Sequence, residues 1–143
     1  MDRKMTGGGR VDTGDVEPAK GNAKPKAILT THGFELFIND AEEFSGNLQF
    51  NDHRNGDVFH ATSIDQILFT NDPSLDSGNP GSSFNTARVS GAGRLNGVDG
   101  VRFTAVITDN GEPGKTDTFE ITFPDGENPG ISGVLEGGNH QAH

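Results

Sequence analysis

Between Val101 and Thr108, apolar and polar side chains alternate. Val101, Phe103, Ala105 and Ile107 fall on one side, and Arg102, Thr104, Val106 and Thr108 on the other. The same period of two returns at Thr118–Phe123, where Phe119, Ile121 and Phe123 alternate with Thr118, Glu120 and Thr122. A period of two belongs to a strand with one buried face, so the stretch Val101–Phe123 predicts a β-hairpin. Its loop, Asp109-Asn110-Gly111-Glu112-Pro113-Gly114, is made of turn-formers, with Asp117 where the second strand begins.

Further strands are expected at Ala27–Thr31, Gly33–Ile38, Ser45–Asn51, Val58–Thr62, Gln66–Thr70, Ala87–Leu95 and Ile131–Glu136. Gly, Asn or Asp punctuates nearly every gap. Single helical turns are the most that Asp40–Glu43 or Ser63–Gln66 could form. The fold class that follows is all-β: an antiparallel β-sandwich or β-barrel of about 8–10 short strands. Asn71–Asn85 and Pro124–Gly130 read as surface loops.

Charge divides this chain. Residues 1–26 carry six Lys/Arg and four Asp/Glu, whereas residues 27–143 carry five and seventeen. The first 26 residues hold Gly7–Gly9, Pro18 and Pro25 and have little to bury, so they read as a basic N-terminal arm on an acidic all-β domain of residues 27–143. Arg10-Val11-Asp12-Thr13 is the one piece of the arm with strand character, suited to pairing within its own body or with a neighbour's.

With a formal charge of −10, the chain lacks the clustered basic surface that a nucleic-acid partner requires. No apolar run of eighteen residues is present, so no membrane-spanning helix is expected, and Met1–Lys26 has no apolar signal-peptide centre. The absence of Cys excludes disulfides and thiol chemistry. Ten Phe stand beside no Trp and no Tyr. Phenyls in alternating runs are core, and the missing amphipathic aromatics argue against sugar or single-stranded nucleic-acid platforms.

Five short motifs occur in order: Thr6-Gly7-Gly8-Gly9; Asp52-His53 with Gly56 and His60; Gly91, Gly93, Leu95, Asn96 and Gly97; Asp109 to Gly114 with Asp117 and Phe119; and Gly137-Gly138-Asn139 with Gln141 and His143. In this the chain resembles the glycine-rich post-COAP domain that ends many secreted bacterial proteins. The resemblance spans almost the whole chain and implies an extracellular or cell-surface all-β accessory or structural module without catalytic activity. The Asn71–Asn85 loop is longer than that pattern has.

Asp109, Asn110, Glu112 and Asp117 put four oxygen-bearing side chains within nine residues, a candidate Ca²⁺ loop, although the spacing is not that of an EF-hand. The competing reading is a hairpin loop whose Asx side chains cap backbone N–H groups. Asp125, Glu127 and Asn128 offer a weaker version of the same choice. His53 and His60 flank Asn55-Gly56; if that dipeptide is a two-residue turn, Phe50 opposes Ala61 and the two imidazoles do not face each other. His32, His140 or His143 could complete a transition-metal set, but no spacing fixes one.

Ser63, Asp65 and His60 contain the letters of a triad without a G-x-S-x-G elbow, and Thr6–Gly9 is followed by no Gly-Lys-Ser/Thr. No enzyme is expected. The expected function is a non-catalytic structural or interaction domain that forms a homo-oligomer, up to a filament, through residues 1–26. The alternative is a monomeric Ca²⁺- or ligand-binding module.

Overall fold

A computed structural model describes residues 3–16, 27–52, 56–71, 84–109, 117–124 and 130–142. Among the described residues, eight strands run in chain order around one closed antiparallel barrel: β1 (Arg3–Val16), β2 (Ala27–Ile38), β3 (Phe44–Asp52), β4 (Asp57–Thr70), β5 (Thr86–Leu95), β6 (Val98–Thr108), β7 (Thr118–Thr122) and β8 (Ile131–Ala142). Each strand pairs with its predecessor, and β1 pairs with β8 to close the ring. Of the two architectures expected, the barrel is the one formed. Closure leaves no outermost strand, whereas each of a sandwich's two open sheets would expose edges. Among the described residues no helix is long and apolar enough to cross a membrane.

Alternation along the strands fills the interior. Phe34, Leu36 and Ile38 of β2, Phe103, Ala105 and Ile107 of β6, and Phe119 and Ile121 of β7 all point inward and are buried. Eight of the ten Phe are buried. Phe59 lies at the centre of one half of the core, with ring centroids 5.7 Å from Phe50, 5.2 Å from Phe103 and 5.2 Å from Phe123. Offset and edge-on phenyl pairs at such spacings add about 0.5–1.5 kcal/mol each beyond the area they bury.

The hairpin expected at Val101–Phe123 is present as β6 and β7, with Ala105 opposite Ile121 and Ile107 opposite Phe119. Several boundaries differ from expectation. Ala27–Thr31 and Gly33–Ile38 are one strand, because Gly33 keeps the extended pairing through rungs to Gly8 and Gln49. Val58–Thr62 and Gln66–Thr70 are also one strand, β4. The polar residues between them sit where the register shifts twice against β5, so Ser63–Gln66 is bulged strand and not helix.

Asp40–Glu43 is likewise no helix. The Asn39 carboxamide oxygen accepts from the Ala41 and Glu43 N–H groups at 2.9 and 3.0 Å, an Asx turn. Phe50 opposes Phe59, not Ala61, so the β3–β4 connection is longer than a two-residue turn. Phe84 and Asn85, read as loop, are buried, with Phe84 stacked 4.3 Å from Phe69.

The largest correction concerns the amino-terminal segment. Residues 3–16 do not form an arm set apart from the body; they are a wall strand. Their centre is glycine, which carries no side-chain signature of a strand, and the partner that holds them lies at the far end of the chain. Gly7 pairs with His140, Gly8 with Asn139, and Gly9 with Gly138, so the opening and closing glycine motifs form neighbouring strands. Residues 17–26 lie outside those described.

Candidate functional site: a buried histidine pair behind the glycine strand

β1 faces inward with Met5 and Val11, both fully buried. The period of two puts Gly7 and Gly9 on that same inner face, between them. These two positions put no side chain into the barrel. Into the space reach the rings of the two flanking strands: His32, opposite Gly9 on β2, and His140, opposite Gly7 on β8. Their Nε2 atoms lie 2.7 Å apart, so the rings brace β2 to β8 behind the strand that separates them.

Aromatic neighbours enclose the pair. Phe119 stacks on His32 with centroids 4.3 Å apart, and Phe34 meets the edge of His140 at 5.0 Å. The tautomers follow from the partners. Nδ1 of His140 is 2.9 Å from the Thr108 carbonyl oxygen, which only accepts, so that nitrogen carries the proton. In the neutral pair, Nε2 of His140 is therefore the acceptor and Nε2–H of His32 the donor. Nδ1 of His32 is buried without a hydrogen-bond partner among the described residues.

Burial among phenyls pushes both imidazoles down from 6.5. His32 falls to about 3, through desolvation first and the neighbouring His140 second, and His140 falls to about 4 through desolvation. At neutral pH both rings are uncharged.

Among the described residues, β7 is five residues long and pairs with β8 no further than Val134. Side-chain contacts continue beyond it. Asp117, at the start of β7, accepts the His140 backbone N–H on Oδ2 at 2.9 Å, and its own carbonyl accepts the Leu135 N–H at 3.0 Å. The Thr108 and Thr118 hydroxyls meet at 2.6 Å across the β6–β7 neck. Thus Asp117 ties β8 to the start of β7 beyond their last ladder rung. Asp117→Ala strands a buried N–H and should lower unfolding stability by about 1–3 kcal/mol, with Asp117→Asn, which retains an acceptor, recovering much of it. Urea melts of the two variants check this.

The residues singled out in the sequence fall as follows. Asp109 and Asp117 are fully buried at the two ends of the β6–β7 loop, while Asn110 and Glu112 lie outside the described residues. Asp125, Glu127, Asn128, His53 and His143 lie outside them as well. Among the described residues, no group of three His, Cys, Asp or Glu is placed to hold a metal ion. His60, Ser63 and Asp65 are exposed on the outer wall, and Asp65 pairs with Arg102 at 3.1 Å. They form no constellation.

Sequence reading named His32 and His140 but did not join them, since 108 residues separate them. The available signal was parity: Thr30, His32, Phe34, Leu36 and Ile38 share one face of β2, which places His32 inside. Chemically, two neutral imidazoles in a phenyl cage can hold one polar link across the barrel and resist protonation. Neither a family model, nor a curated protein, nor a solved structure matches this chain.

Proposed function

We propose that the chain is a non-catalytic extracellular structural domain that self-associates. The observation that carries this reading is the construction of the barrel. Both ends of the described chain are built into one wall, and the interior holds a continuous core of phenyl and aliphatic side chains with the two imidazoles beside it. A filled barrel acts through its wall, whereas the barrels that bind small molecules keep an interior cavity. The surface depressions include grooves between neighbouring strands, such as the one lined by Val106, Thr118, Glu120, Ser132 and Val134. The extracellular placement rests on the resemblance carried by the glycine and Asp109–Asp117 motifs, two of which meet at the β1–β8 seam.

Light scattering and electron micrographs at near-physiological salt test the reading. Species well above the 15.1 kDa of one chain are expected, growing with concentration. A single 15.1 kDa particle at every concentration would overturn it.

A further inference from the structure

Self-association needs a surface, and an arm docked on a neighbour's exterior does not supply it, because residues 3–16 are occupied in their own barrel. We propose that β1 itself is the exchanged element: β1 of one copy fills the slot between β2 and β8 of a second copy. This rests on the self-association reading and names its partner, another copy of this chain, and the site it uses.

Four features of β1 point this way. It is the first strand of the barrel in chain order, and its connection to the next strand runs through residues 17–26. It is the strand that closes the ring, pairing with β2 from Arg3↔Ile38 to Val16↔Ala27 and with β8 from Met5↔Ala142 to Asp12↔Val134. Its departure opens two long, mutually complementary edges and the two holes that Met5 and Val11 fill, which are matched in detail by β1 of another copy.

Its middle, Gly7–Gly9, has no side chains to pack, so the strand is held by backbone pairing and by anchors toward either end. Finally, ten residues, 17–26, join it to β2, and a chain of that length reaches roughly 33 Å when extended. Charge complements the geometry. The net +2 of residues 1–26 is drawn to the net −12 of any other copy's residues 27–143, while the bodies repel one another. Reciprocal exchange closes a dimer, and one-way exchange runs on as a filament.

The absence of native Cys makes a direct test simple. Thr6 and Glu35 oppose each other across β1 and β2. The double variant T6C/E35C reports pairing within one chain. The two single variants, T6C and E35C, are mixed, incubated together and oxidised, with a T6C and T62C mixture as the control, since Thr62 lies exposed on β4.

Exchange predicts a disulfide-linked T6C–E35C heterodimer at roughly tenfold the yield of the control, because paired rungs hold the thiols at millimolar effective concentration. Heterodimer yield no higher than the control overturns the exchange. Light scattering on the same samples separates the two ideas. Large species without the preferred heterodimer leave self-association standing and remove β1 as its agent, and 15.1 kDa particles without it remove both.

Discussion

Between pH 7.5 and pH 4.5 the unfolding free energy of this protein should fall by about 5 kcal/mol through His32 and His140 alone. Both pKa values drop on folding, from 6.5 to about 3 and about 4. From pH 6.5 down toward those values, the unfolded chain therefore binds more protons than the folded one, and stability rises with pH across that window. Above about pH 7.5 the rings are neutral in both states and nothing is lost. At pH 4.5 the unfolded rings are two pH units below their pKa and charged while the folded ones are still largely neutral, roughly 2–3 kcal/mol for each. Domains of this kind hold roughly 5–15 kcal/mol in total, so the loss is a large share of it.

Two other effects operate as the pH falls and must be separated. Protonation of carboxylates relieves self-repulsion in a chain of formal charge −10, which stabilises, and it removes carboxylate acceptors, which destabilises. Ordinary carboxylates titrate near 4, below most of the imidazole window. Urea melts of the wild type and of H32Q/H140Q at pH 7.5, 5.5 and 4.5 isolate the histidine contribution, since the paired amides hydrogen-bond without titrating. Equal losses in the two proteins would show the imidazoles to be uninvolved. NMR of the wild type gives the same answer without a variant: the His32 and His140 ring signals should stay in place from pH 8 to pH 5, and movement centred near 6.5 contradicts the cage.

What the chain announces in advance and what it withholds divide along one physical line. Strands that bury side chains on one face declare themselves, as β6 and β7 do through Phe103, Ala105, Ile107, Phe119 and Ile121. Strands specified by the backbone do not. Gly7, Gly8 and Gly9 read as flexible punctuation because glycine has no apolar face, yet they are extended, with pairing on both sides. The same blindness hid Gly137 and Gly138 in β8, where the expected strand stopped at Glu136.

Register fails for a related reason. Bulges such as those between Ala61 and Gln66 insert residues into the polar alternation, so one strand reads as two. At the site, the inward parity of His32 was legible and its partner was not. No local pattern reports that a ring on β2 meets one on β8 across a strand between them.

The glycines of β1 should tolerate substitution least where the brace passes behind them. A Cβ on Gly7 would stand 2.4 Å from the Asn139 carbonyl oxygen and 2.8 Å from the His140 Cα, both backbone atoms of β8, and 3.1 Å from the His140 ring. Backbone held in a ladder cannot swing aside as a side chain can, so β1 and β8 must separate. Gly7→Ala is expected to lower stability by about 3 kcal/mol or more, in the range of overpacking combined with broken ladder bonds.

Gly138 sits on the other side of the seam with φ +102°, and a Cβ there would lie 2.2 Å from the Gly8 carbonyl oxygen. Gly138→Ala should therefore be as severe. Gly33, opposite Gly8 on β2, is the control: its Cβ would meet only the Gln49 Nε2, at 3.9 Å. Gly33→Ala should lie within about 1 kcal/mol of wild type, with a gain from the stiffer unfolded chain as one contribution. If the histidine brace depends on the glycine window, a folded Gly7→Ala protein should also show the His140 ring titrating closer to 6.5, since parted strands admit water. Equal stability for the Gly7 and Gly33 variants would mean that β1 is not seated against β8 in solution.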